Sequence, residues 1–198
     1  MKIIHVEHPK GQRPHIQLTV RRVEPSVWSI FKKEHYLSAE LNKSCKCLLF
    51  EWNGVPVGFV GIINSPRIRM PYAMAISRMV ILPDYQGLGL STIIFNFVGG
   101  IIKSLSDEEH DYRLFIKTAH RKFGEALARN PKVKSTANHL KKPTRPTDAR
   151  YRHRLSRRSY CYEYIGEKID GYQDILKPIG EMRNKYKIFK NIFIFIYK

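Results

Sequence analysis

Residues Ile16, Leu18 and Val20 are apolar and alternate with Gln17, Thr19 and Arg21, the two-residue period of a half-buried strand over 16–23. Pro25 suits a first helical turn. After it, Val27, Ile30, Phe31, Leu37 and Leu41 recur at helical spacing and predict a helix. Cys45 to Trp52 reads as a strand, Asn53-Gly54 as a tight hairpin turn, and Val55 to Ile63 as the returning strand. Residues 64–71 form a loop that carries Arg67 and Arg69, and a third run, Ala73 to Leu82, ends at Pro83. Leu90 to Leu105 is apolar nearly all round, which predicts a deeply buried helix. Arg113 to Thr118 reads as a short buried strand, His120 to Asn130 as a short helix closed by Pro131, and Ser159 to Ile165 as a further strand.

These elements predict an α/β (α+β) fold: a single mixed, mostly antiparallel central sheet flanked by helices. The hairpin precedes any crossover, which argues against a doubly wound parallel sheet. Residues 1–166 form the expected domain. Residues 167–198 read as an appendage, with an extra helix and the edge strand Ile192 to Tyr197 as its candidate elements. A docked terminal strand is preferred there over a dimer contact, and the chain is expected to be a monomer or homodimer.

Composition adds limits. With 198 residues, 43% apolar and 12% aromatic, the chain suits one globular domain. The longest apolar stretch, Ile93 to Ile102, is interrupted by Asn96, Gly99 and Gly100 and is too short to cross a bilayer. The start, Met1 to Glu7, is too brief and polar for a secretory leader, so no membrane partner is expected. Three cysteines, Cys45, Cys47 and Cys161, give an odd count without C-x-x-C, which predicts no disulfide framework and a reducing, cytoplasmic setting. The scattered histidines offer no ligand spacing, so no metal is expected.

Charge changes the picture more. Lys and Arg number 35 against 17 Asp and Glu, a formal net charge of +18. Between Lys132 and Arg158 ten basic residues face Asp148 alone. Such a field attracts polyanions, so RNA or another polyanion is a candidate partner through Lys132–Arg158; the plainer alternative is a solubilising face.

The segment richest in chemistry is Ile81-Leu82-Pro83-Asp84-Tyr85-Gln86-Gly87-Leu88-Gly89-Leu90-Ser91. A strand ends, two glycines allow close backbone approach, and a buried helix begins with its free N–H groups gathered at the turn. That is an anion site suited to a pyrophosphate. The spacing fits neither G-x-x-x-x-G-K-[ST], since no Lys-Ser/Thr follows, nor G-x-G-x-x-G, since Thr92 stands where the third glycine belongs.

It does resemble the [Q/R]-x-x-G-x-[G/A] signature of the GNAT superfamily of acetyl-CoA-dependent N-acetyltransferases. That signature maps onto Gln86 to Ser91 with Ile81-Leu82-Pro83 ahead of it, Ser91 replacing the final Gly or Ala. The order of elements over about residues 16–166 is similar too. The resemblance implies acetyl-CoA as co-substrate. Backbone groups of Gln86, Gly87, Leu88, Gly89, Leu90 and Ser91 would hold its pyrophosphate, and those of Met79, Val80 and Ile81 its pantetheine arm, where strands 73–82 and 113–118 splay.

The resemblance also implies a proton donor on the helix after strand 113–118, where the family often uses Tyr. No Tyr occurs between Tyr112 and Tyr151, Phe123 cannot donate, and His120 is the nearest titratable substitute, with a capping role as its alternative. Glu51, Glu34 and His35 are candidate bases. His35 and Tyr36 fall in the region that lines the acceptor pocket in this family, as do Ser77, a further catalytic candidate, and Arg78, which suits an acceptor bearing a carboxylate or phosphate. The implied function is N-acetyl transfer to an amine, with an aminoacyl-tRNA or other anionic macromolecule as one acceptor class. A small amine or a protein amino group is another, and a catalytically inactive binding module is the non-enzymatic alternative.

Overall fold

The computed structural model describes residues 16–35, 40–141 and 158–177, together with the backbone of strand 192–196. Eight strands make one sheet: β1 (Ile16–Val23), β2 (Lys46–Trp52), β3 (Val55–Asn64), β4 (Ala73–Ile81), β5 (Arg113–Thr118), β6 (Val133–Ser135), β7 (Tyr160–Tyr164) and β8 (Ile192–Ile196). Their spatial order is β6-β7-β5-β4-β3-β2-β1-β8. Every neighbouring pair is antiparallel except β4 and β5. That parallel pair needs a crossover, and helix α2 (Leu90–Lys103) supplies it.

The β2–β3 hairpin closes through Asn53 and Gly54, both with positive φ (52° and 79°), the backbone demanded by a two-residue turn that follows strand twist. On one face of the sheet α2 and α3 (Arg121–Ala128) cover a core that includes Leu18, Phe50, Val60, Ile94, Ile101, Leu114 and Tyr162. Helix α2 seats closely because Gly99 presents no side chain: a Cβ there would come 2.3 Å from the Tyr164 ring. On the other face Trp28 and Phe31 cover Cys45, Cys47, Leu49, Phe59 and Val80. All three cysteines are buried and free.

The structure departs from the sequence expectation in two places. The helix expected from Pro25 to Leu41 is a single α turn, α1 (Trp28–Phe31), between two 3-10 turns, and His35 is already extended (φ −92°, ψ 120°). Among the described residues of that segment only Trp28 and Phe31 are buried, and Ile30, counted as part of the apolar face, is 51% exposed. Leu37 lies outside the described residues. The second difference is β6, a three-residue strand in a basic stretch where no alternation marks it.

Candidate active site

Strands β4 and β5 pair only over four residues, from Ala73↔Arg113 to Ile76↔Ile116, and then separate. A register shift in the β3–β4 ladder falls at the same point: Gly61 faces Arg78 and Ile62 faces Ile76, so Ser77 is the extra residue of a bulge. Beyond it, Ser77 to Ile81 stay on β3 but lose β5, and their main chain on that side borders a gap. The gap is part of a cleft of about 480 Å³, lined by β4 from Ile76 to Ile81, the turn 85–89, the start of α2, the end of β5, and the start of α3.

At the turn, the carbonyl of Gly89 accepts from Thr92 and Ile93 (3.2 and 3.3 Å), so the N–H groups of Leu90 and Ser91 come before the helical ladder begins. Gly87 and Gly89 hold φ of 85° and 80°, and a Cβ at Gly87 would meet nothing within 4 Å. No acidic residue stands in the first turn of α2. A 14-residue helix, open backbone and unopposed dipole together fit a diphosphate. The side chain of Gln86 is turned back, Nε2 donating to the Ile81 carbonyl at 2.9 Å, and Leu88 packs on the core rather than lining the cleft.

Of the other sequence candidates, Ser77, Arg78, Met79, Val80, Ile81, His35 and His120 all line this cleft, as does Glu34. The His35 ring stands edge-on to Trp28 at 5.5 Å. The two Arg78 terminal nitrogens donate to the Ser77 and Glu40 carbonyls, both at 2.8 Å, fastening the bulge to the chain entering β2. His120 caps α3: its Nδ1 accepts from the Phe123 N–H at 3.2 Å, which places the hydrogen of the neutral ring on Nε2. Burial holds the Cys45 thiol above its ordinary pKa, opposed by a hydrogen bond with Ser77.

Glu51 is not among the cleft residues. It is 9% exposed and takes a bidentate contact from Arg21, Nε to Oε2 at 3.0 Å and Nη2 to Oε1 at 3.1 Å, which makes it a structural anchor between β1 and β2. Tyr36 lies outside the described residues. Sequence reasoning did not single out Lys117, Thr118 and Lys122, which border the cleft where β5 passes into α3, or Tyr85, which packs edge-on to Trp52. No group of side chains spaced for a metal occurs among the described residues.

Comparison with known proteins decides the family. The model of the Acetyltransferase (GNAT) family matches residues 15–121, slightly more than half of the chain and the whole of the turn just described. The chain belongs to the GNAT family.

Solved GNAT structures share the fold at low identity. A GNAT family acetyltransferase from Streptococcus pneumoniae is 16% identical with a TM-score of 0.50, covering 75% of this chain and 99% of its own. A spermidine N-acetyltransferase SpeG chimera from Vibrio cholerae and hSSAT is 11% identical with a TM-score of 0.51, covering 75% and 95%. Arabidopsis thaliana Naa50, in complex with the bisubstrate analogue CoA-Ac-MVNAL, is 12% identical with a TM-score of 0.51, covering 74% and 97%. No curated protein matches the sequence. As a GNAT member, the chain carries the mixed sheet and flanking helices of an acetyltransferase fold, and no helix among the described residues is long and apolar enough to cross a membrane.

Proposed function

We propose that this GNAT protein transfers the acetyl group of acetyl-CoA to an amine. The observation that carries the reading is the meeting, in one cleft, of the Ile76/Ile116 split with the Gly87–Gly89 turn. Acetyl-CoA would supply a thioester, an acyl group already activated toward nitrogen.

The chain's own contribution is binding, orientation and proton transfer. The first-turn amides of α2 and the backbone of Gln86 to Ser91 hold the diphosphate. The main chain of Met79 to Ile81, released from β5, offers a strand edge to the pantetheine arm. A backbone N–H beside the Ser77 bulge would stabilise negative charge developing on the acyl oxygen. Fixing both reactants in one cleft supplies much of the acceleration.

The acceptor must attack as a neutral amine, and an alkylammonium of pKa about 10.4 has to lose a proton first. His35, steadied by Trp28 at the acceptor end, takes that proton, with Glu34 beside it. His120 would donate a hydrogen bond from Nε2–H to the departing thiolate, its tautomer fixed by the cap on Phe123, and the thiolate would take its proton from water. Arg78 shapes the acceptor end by its two carbonyl contacts.

The reading is tested by following free thiol while the protein is mixed with acetyl-CoA and a panel of small amines, peptides and aminoacyl esters. Thiol release that depends on both components is expected. Acetyl-CoA binding without release on any acceptor would make the protein a binding module instead.

A further inference from the structure

We infer that the cleft opens beside a docking surface for RNA, built on the face of β5, β7 and β6 turned away from α2. The register puts Lys117 opposite Cys161, Phe115 opposite Glu163, and Glu163 opposite Lys134, so these side chains share one face. Arg67 lies over the Phe115 ring on that face, 4.0 Å from its centre, and Lys117 also borders the cleft. The one carboxylate in this row, Glu163, is taken by Arg113, Nε to Oε1 at 2.6 Å. Among the described residues no ion pair engages Lys117, Lys134, Lys141 or Arg158, and all four are exposed.

The surface is joined to the cleft by the way the chain leaves the sheet. Thr118, which lines the cleft, pairs with Tyr160. Two residues before Tyr160 stands Arg158, and the Leu140 N–H donates to the Ser159 carbonyl at 2.9 Å. That bond brings the main chain before Lys141 against the main chain after Arg158, two residues from the Tyr160 that pairs with Thr118. Leu140 is held at φ 52°, a left-handed backbone that a branched side chain rarely adopts, so the exit of the chain at this point is fixed against a local cost.

Dense unpaired cations favour a phosphate backbone over an acidic protein. Protein interfaces draw their energy from buried aromatic and apolar anchors, whereas phosphate contacts need charge alone. Among the described residues at 136–141 and 158–159, Leu140 is the one large apolar side chain that is exposed, at 37%. The docking does not require the acetyl-transfer reading. Only its consequence, that an RNA-borne amine would arrive at the cleft, rests on it.

The test uses the full chain and a fluorescein-labelled single-stranded RNA of about 20 nucleotides, titrated by anisotropy across a salt series. Wild type should bind with a steep salt dependence. The Lys134→Glu, Lys141→Glu, Arg158→Glu triple variant should bind about tenfold or more weakly, with a log–log salt slope shallower by about 2. If charge reversal impairs folding, the corresponding triple Gln variant should lose the same slope. RNA binding that is absent, or equal in wild type and variant, overturns the inference. Equal competition by unlabelled RNA and by polyglutamate of matching charge overturns RNA in favour of an acidic protein partner. Calorimetry with acetyl-CoA on the same samples reads the other proposal separately, because saturable acetyl-CoA binding by the triple Gln variant reports an intact cleft whatever happens to RNA affinity.

Discussion

Nε2 of Gln86 donates to the carbonyl of Ile81 at 2.9 Å, tying the glycine turn to the last residue of the strand that precedes it. The bond sets the distance between the first-turn amides of α2 and the strand edge at Met79 to Ile81. Gln86→Ala should raise the acetyl-CoA Kd by up to about tenfold, the worth of one intramolecular hydrogen bond. The melting temperature should stay nearly constant, and calorimetry beside a thermal melt checks both.

Gly87 and Gly89 separate backbone strain from obstruction. Each sits in the left-handed region, where a non-glycine residue costs roughly 1–2 kcal/mol. At Gly87 a methyl group meets no protein atom, so any loss of acetyl-CoA binding in Gly87→Ala beyond about tenfold reports a clash with the ligand itself. Gly89→Val should abolish binding, because the strained residue starts α2. Retained affinity in both variants would move the diphosphate elsewhere.

The Arg21–Glu51 pair predicts a split between stability and turnover. Glu51→Gln should cost about 1–3 kcal/mol of unfolding free energy while thiol release changes less than about twofold. Arg21→Met should destabilise further, since it leaves the nearly buried carboxylate without its fork. Urea unfolding and the thiol assay on both variants check this. Loss of turnover in a stable Glu51→Gln protein would return Glu51 to the list of bases.

Burial pushes the Cys47 thiol up to about 11 from an ordinary 9.0, with Cys45 adding to the rise. The folded state thus favours the neutral thiol, and the unfolded chain ionises first. The contribution is complete below about pH 9 and fades as pH climbs toward about 11, amounting to roughly 2–3 kcal/mol. Tyr164, raised to about 12 by burial, extends the same trend. Urea midpoints should fall between about pH 8 and about pH 10.5, and Cys47→Ala should flatten that fall. At about pH 8, iodoacetamide should label native Cys47 far more slowly than unfolded chain.

Local signals made most of the fold readable. Asn53-Gly54 announces its own turn, and the largely apolar stretch from Leu90 reads as the buried crossover helix it is. What escaped depends on distance. The partner that holds Glu51 lies 30 residues away at Arg21, and nothing in the pattern around Glu51 points to it. The Ser77 bulge is a mismatch between two strands rather than a property of either. Helix α1 stops after one turn because burial of Trp28 and Phe31 satisfies the sheet beneath, leaving Ile30 facing water despite its spacing. Val133-Lys134-Ser135 is too short to show alternation and becomes a strand only beside Tyr162 and Tyr164. Within the site, the glycine turn ahead of α2 was legible since its backbone follows from glycine placement, whereas the β5–α3 border, with Lys117 and Lys122, needed the third dimension.

The most direct measurement is an amide NMR titration of the ¹⁵N-labelled protein with acetyl-CoA. The account predicts that the N–H signals of Gly87, Gly89, Leu90 and Ser91 shift together with those of Ser77 to Ile81, at one saturating stoichiometry. Perturbations that leave both groups unmoved, or that move the turn without the strand edge beyond Ile76, would contradict it.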